Sequence, residues 1–327
     1  MPTLLRHLDT KLYSTRFLAL KLRFGTALLL CCSAALTSLS HSAYAEPLAI
    51  NIILSANSGL YKEFSDALTN DLVGSGATIK VFDTTQPQPD AKLIVAVGIK
   101  AATLAASSHA KYILNVMITK SGHEKLLHDF PKRDNTNSYT SIYLDQPIER
   151  QLGLIVAAFP NRKRLGVLFD TSTLSELKQL QQLAPDYGID LYEKEVANPE
   201  AMFDTLQSVL QHSDVLLALP APEIYNSSTL RNILVSTYQS HTPVVGFSSS
   251  YVKAGAICAV FSTPAQLATQ TSSSIKKFIE TNTLPPAQNP TFYEISVNER
   301  VAQSMGIPIN NHDELSKKMS TKRKRAP

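Results

Sequence analysis

Tryptophan is absent from the 327 residues, cysteine occurs three times, and charged side chains make up 18% of the chain. Each shortage excludes something. Three cysteines cannot staple a small disulfide-built fold. A low charge fraction beside 44% hydrophobic residues excludes a disordered or heptad-built chain. In the body of the chain no apolar run reaches the ~18 residues of a membrane-spanning helix. Catalytic signatures are missing too: no G-x-S-x-G elbow, G-x-G-x-x-G turn or Walker-type loop occurs, and Gly74-Ser-Gly76 reads as a turn between helix and strand. The eight histidines, at 7, 41, 109, 123, 128, 212, 241 and 312, make no H-x-x-x-H or H-E-x-x-H pair, so neither a metal nor another cofactor is expected. Glu193 and Glu195 alternate with apolar residues and read as a solvated strand face, not a catalytic carboxylate pair. An enzyme is not expected.

Bases are scarce where a nucleic-acid binder needs them. Residues 1–45 hold five against Asp9 and the last dozen hold six with no acid, which leaves 20 bases and 26 acids for residues 46–315. An acidic body without a basic stripe argues against nucleic acid as a partner, because that affinity rests on phosphate neutralisation. The run Lys322-Arg323-Lys324-Arg325 has no periodic apolar pattern beside it, so residues 313–327 read as a solvated, frayed tail, with an anionic-lipid or nucleic-acid patch as the alternative.

The first 45 residues read as an export signal. A basic stretch to Arg23 precedes the apolar run Thr26–Leu36, and Ala43-Tyr44-Ala45 stands just before Glu46-Pro47. That order predicts cleavage after Ala45 and a periplasmic or extracytoplasmic mature chain; an uncleaved anchor is the competing reading. No small residue precedes Cys31 or Cys32 in the manner of a lipid-anchor box. Cys258, the one cysteine left after cleavage, lies in the apolar run Ala256–Phe261 and reads as a buried small hydrophobe.

Past the leader, strand and helix signals alternate. Leu48–Leu54 is a continuous apolar run of the buried-strand type, followed by Leu60, Phe64, Leu68 and Leu72 at helical spacing. The pattern recurs at Thr78–Phe82, at Leu93–Val97 with a helix from about Lys100, at Tyr112–Ile118 with a helix from about Ser121, and at Tyr139–Leu144. A second series opens with Pro147 at the first position of a helix to Phe159. It continues through strands at 164–169, 189–196, 215–219, 243–247 and 257–261 and helices at 174–183, 199–212 and 226–240. A long helix at 264–279, an extended segment at 284–290, a strand at 292–297 and a short helix ending at Gly306 follow. Such alternation predicts an α/β fold of two lobes, each a parallel sheet with helices on both faces. The helix at 264–279 comes after the second lobe is complete and is expected to return to the first.

The stretches Tyr139–Gln151, Arg164–Leu168, Asp214–Pro220, Pro243–Ser248, Tyr251–Ala256 and Ser296–Ala302 resemble an ABC-transporter substrate-binding family related to the tryptophan- and tyrosine-binding proteins. The resemblance covers nearly all of the chain past the leader and is strongest from Tyr139 onward. It implies a type I periplasmic binding fold, with two Rossmann-like lobes joined by three crossings and closing on a small molecule. The crossings would fall near Tyr143–Pro147, Phe261–Pro264 and Leu284–Pro290. The lobes would then be residues 46–145 with 263–288 and residues 146–262 with 289–312. A monomer working with an inner-membrane ABC permease is implied; an exported ligand-sensing module without transport fits the same sequence. The first-lobe loops depart from the amino-acid-binding relatives, which leaves the ligand open.

In an open parallel sheet, ligands sit beyond the carboxyl ends of the strands. The candidate ligand-binding residues are therefore Ser55 and Asn57 after the first strand, Gly98 after the third, and Tyr139 and Asp145 around the fifth. In the second lobe they are Asp170, Thr171, Pro220, Tyr225, Asn226, Phe247 and Tyr251. For Asp170 and Asn226 a helix-capping role is as good a reading as ligand contact, and for each aromatic residue core packing competes. Asp145, where the first crossing meets the cleft, can cap the following helix or hold a ligand ammonium. Without tryptophan there is no best platform for a sugar ring, and Lys100, Lys120 and Lys253 are too scattered for a phosphate site. The expected ligand is a compact molecule with a flat or apolar portion, an amino acid or a related metabolite.

Overall fold

The computed structural model describes residues 48–134 and 137–323, with side chains to Met319. The expected leader, its cleavage point and the final Lys324-Arg325 pair lie outside the described residues.

The first series is β1 (Leu48–Leu54), α1 (Gly59–Asp71), β2 (Ala77–Asp83), β3 (Leu93–Val97), α2 (Ile99–Ser107), β4 (Tyr112–Ile118), α3 (Lys120–Asp129) and β5 (Tyr139–Tyr143). Its strands form a five-stranded sheet in the order β2-β1-β3-β4-β5, every pair parallel. Central β1, β3 and β4 are buried almost throughout, which explains their unbroken apolar runs, whereas edge strand β2 is half exposed. Phe64 and Leu68 of α1 cover one face; Ala101, Ala105 and Leu126, from α2 and α3, cover the other.

The second series is α4 (Ile148–Ala158), β6 (Arg164–Phe169), α5 (Leu174–Leu183), β7 (Asp190–Glu195), α6 (Met202–His212), β8 (Val215–Leu217), α7 (Leu230–Gln239), β9 (Val244–Gly246), α8 (Ser249–Ala254) and β10 (Cys258–Phe261). The chain then runs through α9 (Pro264–Thr281), β11 (Glu294–Val297), α10 (Glu299–Ser304) and α11 (His312–Arg323). This sheet has six strands in the order β11-β10-β9-β8-β6-β7, parallel except for β11, which runs antiparallel to β10. Helix α9 packs Leu267, Ile275 and Phe278 against Phe64 and Leu68 of the first lobe. Cys258 is fully buried in the second core, and burial pushes its thiol up to about 12.

Three crossings join the lobes, and side-chain hydrogen bonds tie them together. Gln146 Nε2, in the first, donates to Ser262 Oγ in the second at 2.8 Å. The Ser262 hydroxyl in turn donates to the Phe292 carbonyl in the third at 2.5 Å. Residues of the third crossing run beside β5: Tyr143 N donates to Gln288 O at 3.0 Å and Gln288 N to Ser141 O at 2.9 Å.

Several elements differ from the sequence expectation, among them β11, which breaks the expected parallel order, and α6, which begins at Met202 rather than 199. Pro147 is the N-cap of α4, with ψ 141° holding it in extended backbone, not the first helical residue. Helix α7 begins at Leu230 instead of Asn226, because the Asn226 side chain accepts from Ser228 N at 3.0 Å and holds residues 226–229 in a turn. Helix α8 was not foreseen. The tail from 313 is no frayed end as far as Arg323 but helix α11, with Leu315 fully buried and Met319 nearly so against the α4 core.

Candidate functional site

Parallel strands bring the loops after β1, β3, β4 and β5 to one end of the first sheet and those after β6, β8 and β9 to one end of the second. The geometry there sorts the candidates by what their side chains already do. Ser55 Oγ accepts from Ala101 N at 3.0 Å, so it caps α2 from a neighbouring loop. Gly98, at φ 82°, lies so close under Ser55 and Tyr61 that an added Cβ would stand 2.7 Å from Ser55 Oγ and 2.8 Å from Tyr61 Cζ. Asn57 is exposed in the loop leading to α1. Asp170 accepts from Ser172 N at 2.9 Å and from Ser172 Oγ at 2.6 Å, and its own N–H reaches Thr173 Oγ1; it caps a 3-10 turn, and Thr171 within that turn is exposed. Asn226 is committed to its turn, donating to the Pro222 and Glu223 carbonyls. For Ser55, Asp170 and Asn226 the capping role is the one realised.

Tyr139 stands away from the cleft. It opens β5, pairing with Ile113 at the start of β4, so the common strand direction puts it at the far edge of the sheet, buried beside Leu126. Tyr143, which closes β5, holds the position that Tyr139 was expected to hold. In the second lobe Tyr225, Phe247 and Tyr251 do converge: Phe247 and Tyr251 ring centroids lie 4.4 Å apart, and Tyr225 meets them edge-on at 6.5 and 6.2 Å. They belong to the core beneath the loops, with Pro220 half-buried beyond β8. The Tyr225 and Tyr251 hydroxyls are buried without a hydrogen-bond partner, and burial raises both pKa values.

Where β4 and β5 end, the structure brings together residues from both lobes. Strand β4 bulges between Val116 and Ile118, and Met117 takes the left-handed φ of 57°, a strained conformation of the kind that re-aims a strand end. Thr119 then caps α3, its Oγ1 accepting from Gly122 N at 3.0 Å. Asp145 reaches back from the first crossing, one carboxylate oxygen accepting from Lys120 N at 2.5 Å. This caps the helix before the crossing rather than α4 after it. Lys120 Nζ bridges to the second lobe, donating to Ser175 Oγ on α5 at 3.0 Å. The next residue, Glu176, is 6% exposed. Asp145 Oδ1 and Glu176 Oε2 are buried with no hydrogen-bond partner. Burial, then the charge of Glu176, pushes Asp145 up to about 7 against the Lys120 N–H, and burial also raises Glu176.

Sequence reasoning did not single out Ser175 and Glu176, and weighed Lys120 only as a scattered base; the structure brings all three to this junction. Sequence reasoning also missed four apolar side chains: Leu60 in the first turn of α1, Ile99 opening α2, Leu144 after β5 and Leu174 opening α5 are 58, 47, 38 and 42% exposed. All four stand at the carboxyl ends of strands. Leu60 shares the helical spacing of Phe64 and Leu68 but, unlike them, is exposed. Nearby, His123 Nδ1 and Ser141 Oγ lie 2.7 Å apart, but both residues are buried within the first lobe. A separate groove of about 590 Å³ lies between α7, α8 and α10, lined by Leu230, Leu234, Tyr238, Val244, Ile257 and Met305. It touches the amino ends of β9 and β10, the side of the sheet opposite the strand ends that carry the candidate loops.

The profile of the ABC transporter substrate binding protein family matches residues 77–321. Among solved structures, a conserved domain protein from Vibrio cholerae O1 biovar El Tor aligns at 20% identity and a TM-score of 0.60, over 83% of this chain and 98% of that one. The ABC domain in complex with L-Trp from Streptococcus pneumonia aligns at 17% and 0.60 over 83% and 98%. The ligand-free, open structure of a substrate binding protein with adhesive properties from Clostridium difficile aligns at 16% and 0.65 over 82% and 97%. At these identities the likeness is one of fold. No curated protein matches the sequence.

Proposed function

The chain belongs to the ABC transporter substrate binding protein family, and from that premise we propose that it captures a compact solute with an apolar portion, an amino acid or a related metabolite, between its two lobes. In this reading the protein is exported by its leader, works as a monomer and hands the solute to an inner-membrane ABC permease. The observation that carries the ligand class is the group of exposed apolar side chains at the strand ends, Leu60, Ile99, Leu144 and Leu174. Exposed apolar residues gathered at a ligand-binding edge are the lining a flat or aliphatic group buries. The L-Trp complex of the pneumococcal neighbour fits the same class. A phosphate ester fits poorly, because Lys120 is engaged by Ser175.

Thermal-shift screening against the twenty amino acids, simple sugars and phosphate esters, with hits confirmed by calorimetry, tests this. At 100 times Kd a true ligand adds about 2.7 kcal/mol of stability. Tight binding of a sugar or phosphate ester with no response to any amino acid overturns the proposed class.

A further inference from the structure

Resting on that reading, we propose that Asp145 and Glu176 together form a cation-recognition subsite between the lobes, which receives a primary ammonium group of the captured solute. The two carboxyl groups come from different parts of the molecule, Asp145 from the first crossing and Glu176 from the first turn of α5. Capping explains only half of Asp145. One of its oxygens accepts from Lys120 N, and the other is buried with nothing to accept from.

Glu176 is harder still to read as structural. An acid in the first turn of a helix is ordinary when solvated, but this one is 6% exposed and leaves Oε2 without a partner. Buried carboxylates are normally paired, because an unpaired one carries its full desolvation cost. Two such oxygens beside the same lobe-to-lobe contact are acceptors awaiting a donor.

The charges around them leave room for one more cation. Lys120, Glu124 and Tyr143 are the titratable neighbours from α3 and β5, and Asp145 feels the charge of Glu176. The Lys120 ammonium is held by Ser175 Oγ at 3.0 Å and lies 3.8 Å from Glu124 Oε1. With both buried carboxyls ionised, the group is net negative even with Lys120 counted. An ammonium supplies up to three N–H donors and one positive charge, which answers both deficits. In the empty protein a proton does so, so a solute cation entering at neutral or mildly acidic pH displaces that proton.

The test is calorimetry of the full mature chain with the twenty L-amino acids, their N-acetyl forms, and glucose and myo-inositol as neutral solutes. Titrations at pH 6.5 are run in phosphate and in imidazole buffer, whose ionisation enthalpies differ. The expected result is binding of a free amino acid, loss of about tenfold or more in affinity on N-acetylation, and a heat that changes between buffers because a proton is released. Asp145→Asn and Glu176→Gln are each expected to weaken binding by about tenfold or more and to abolish the buffer dependence. The comparison of free with N-acetylated solute uses the unaltered protein, so it decides the question even if a variant fails to fold. Equal affinity for the N-acetyl form, or tight binding of a neutral solute that both variants leave unchanged, overturns the cation subsite while solute capture stands. Absence of binding by any of these solutes overturns both.

Discussion

Single residues at the cleft show where sequence reasoning stops. Asp145 could be read from its place at the first crossing only as a cap or a ligand contact, and it is the fold that makes one of its oxygens a cap on α3. Gly98 was legible only as a loop residue after β3, its close approach to Ser55 and Tyr61 being a tertiary feature. Glu176 was not legible: an acid in the first turn of an amphipathic helix is what any solvated helix carries, and only its burial makes it unusual. Tyr139 was misplaced because a strand's sequence does not say which of its ends faces the ligand until the parallel order is known. Asp145 also carries a measurable consequence. Burial pushes its carboxyl up to about 7, above the 3.8 of an exposed aspartate, so between those values the folded protein binds a proton that the unfolded chain does not. The ligand-free fold therefore loses stability as pH rises through that window, by at most about 4 kcal/mol, and levels off above it. Burial lowers His123 and works in the opposite sense, so the effect is isolated by difference. Chemical denaturation at pH 5 and pH 8 should show the stability of the unaltered protein falling relative to Asp145→Asn. Parallel pH profiles for the two would mean that Asp145 is ionised throughout.

Among the elements, the long apolar strands and helices with a regular stripe were the readable ones, since burial on both faces of a parallel sheet writes itself as an unbroken run. The unreadable ones were short or heavily charged. Helix α8 spans six residues beginning Ser-Ser-Tyr, a composition shared with loops. Helix α11 hides its contact in two residues, Leu315 and Met319, four apart and surrounded by charge. Those two are enough to seat it: Leu315 is fully buried, and Met319 Cε lies 3.9 Å from where a Cβ on Gly153 of α4 would stand. Truncating a buried leucine removes its transfer free energy and leaves a cavity, which costs about 2–5 kcal/mol. Leu315→Ala should lower the urea midpoint accordingly, with the slope of the transition unchanged. An unmoved midpoint would return this segment to a solvated tail.

At the scale of the whole molecule, the proposed capture rests on a balance between open and closed arrangements of the two lobes. The crossings are locked to one another through Gln146, Ser262 and the Phe292 carbonyl, so the change of backbone angle in a closing motion falls on residues beside that knot. Away from it, Lys120 to Ser175 is a direct side-chain bond between α3 and α5, across the cleft. A bond present in the closed arrangement and absent from the open one biases the equilibrium by its own net value, about 1.5–3 kcal/mol for a hydrogen bond to a charged group. Ser175→Ala removes that bond and leaves the Lys120 charge in place. The ligand-free variant should therefore populate open forms more than the unaltered protein does and show a larger radius of gyration by solution scattering. Solute affinity should fall by the same factor as the closed population, because a ligand that binds only the closed form must first supply the closing free energy. At saturating solute the two proteins should scatter alike, since the ligand's preference for the closed form outweighs a single hydrogen bond. Identical ligand-free scattering and unchanged affinity would show instead that the lobes are held by the crossings alone.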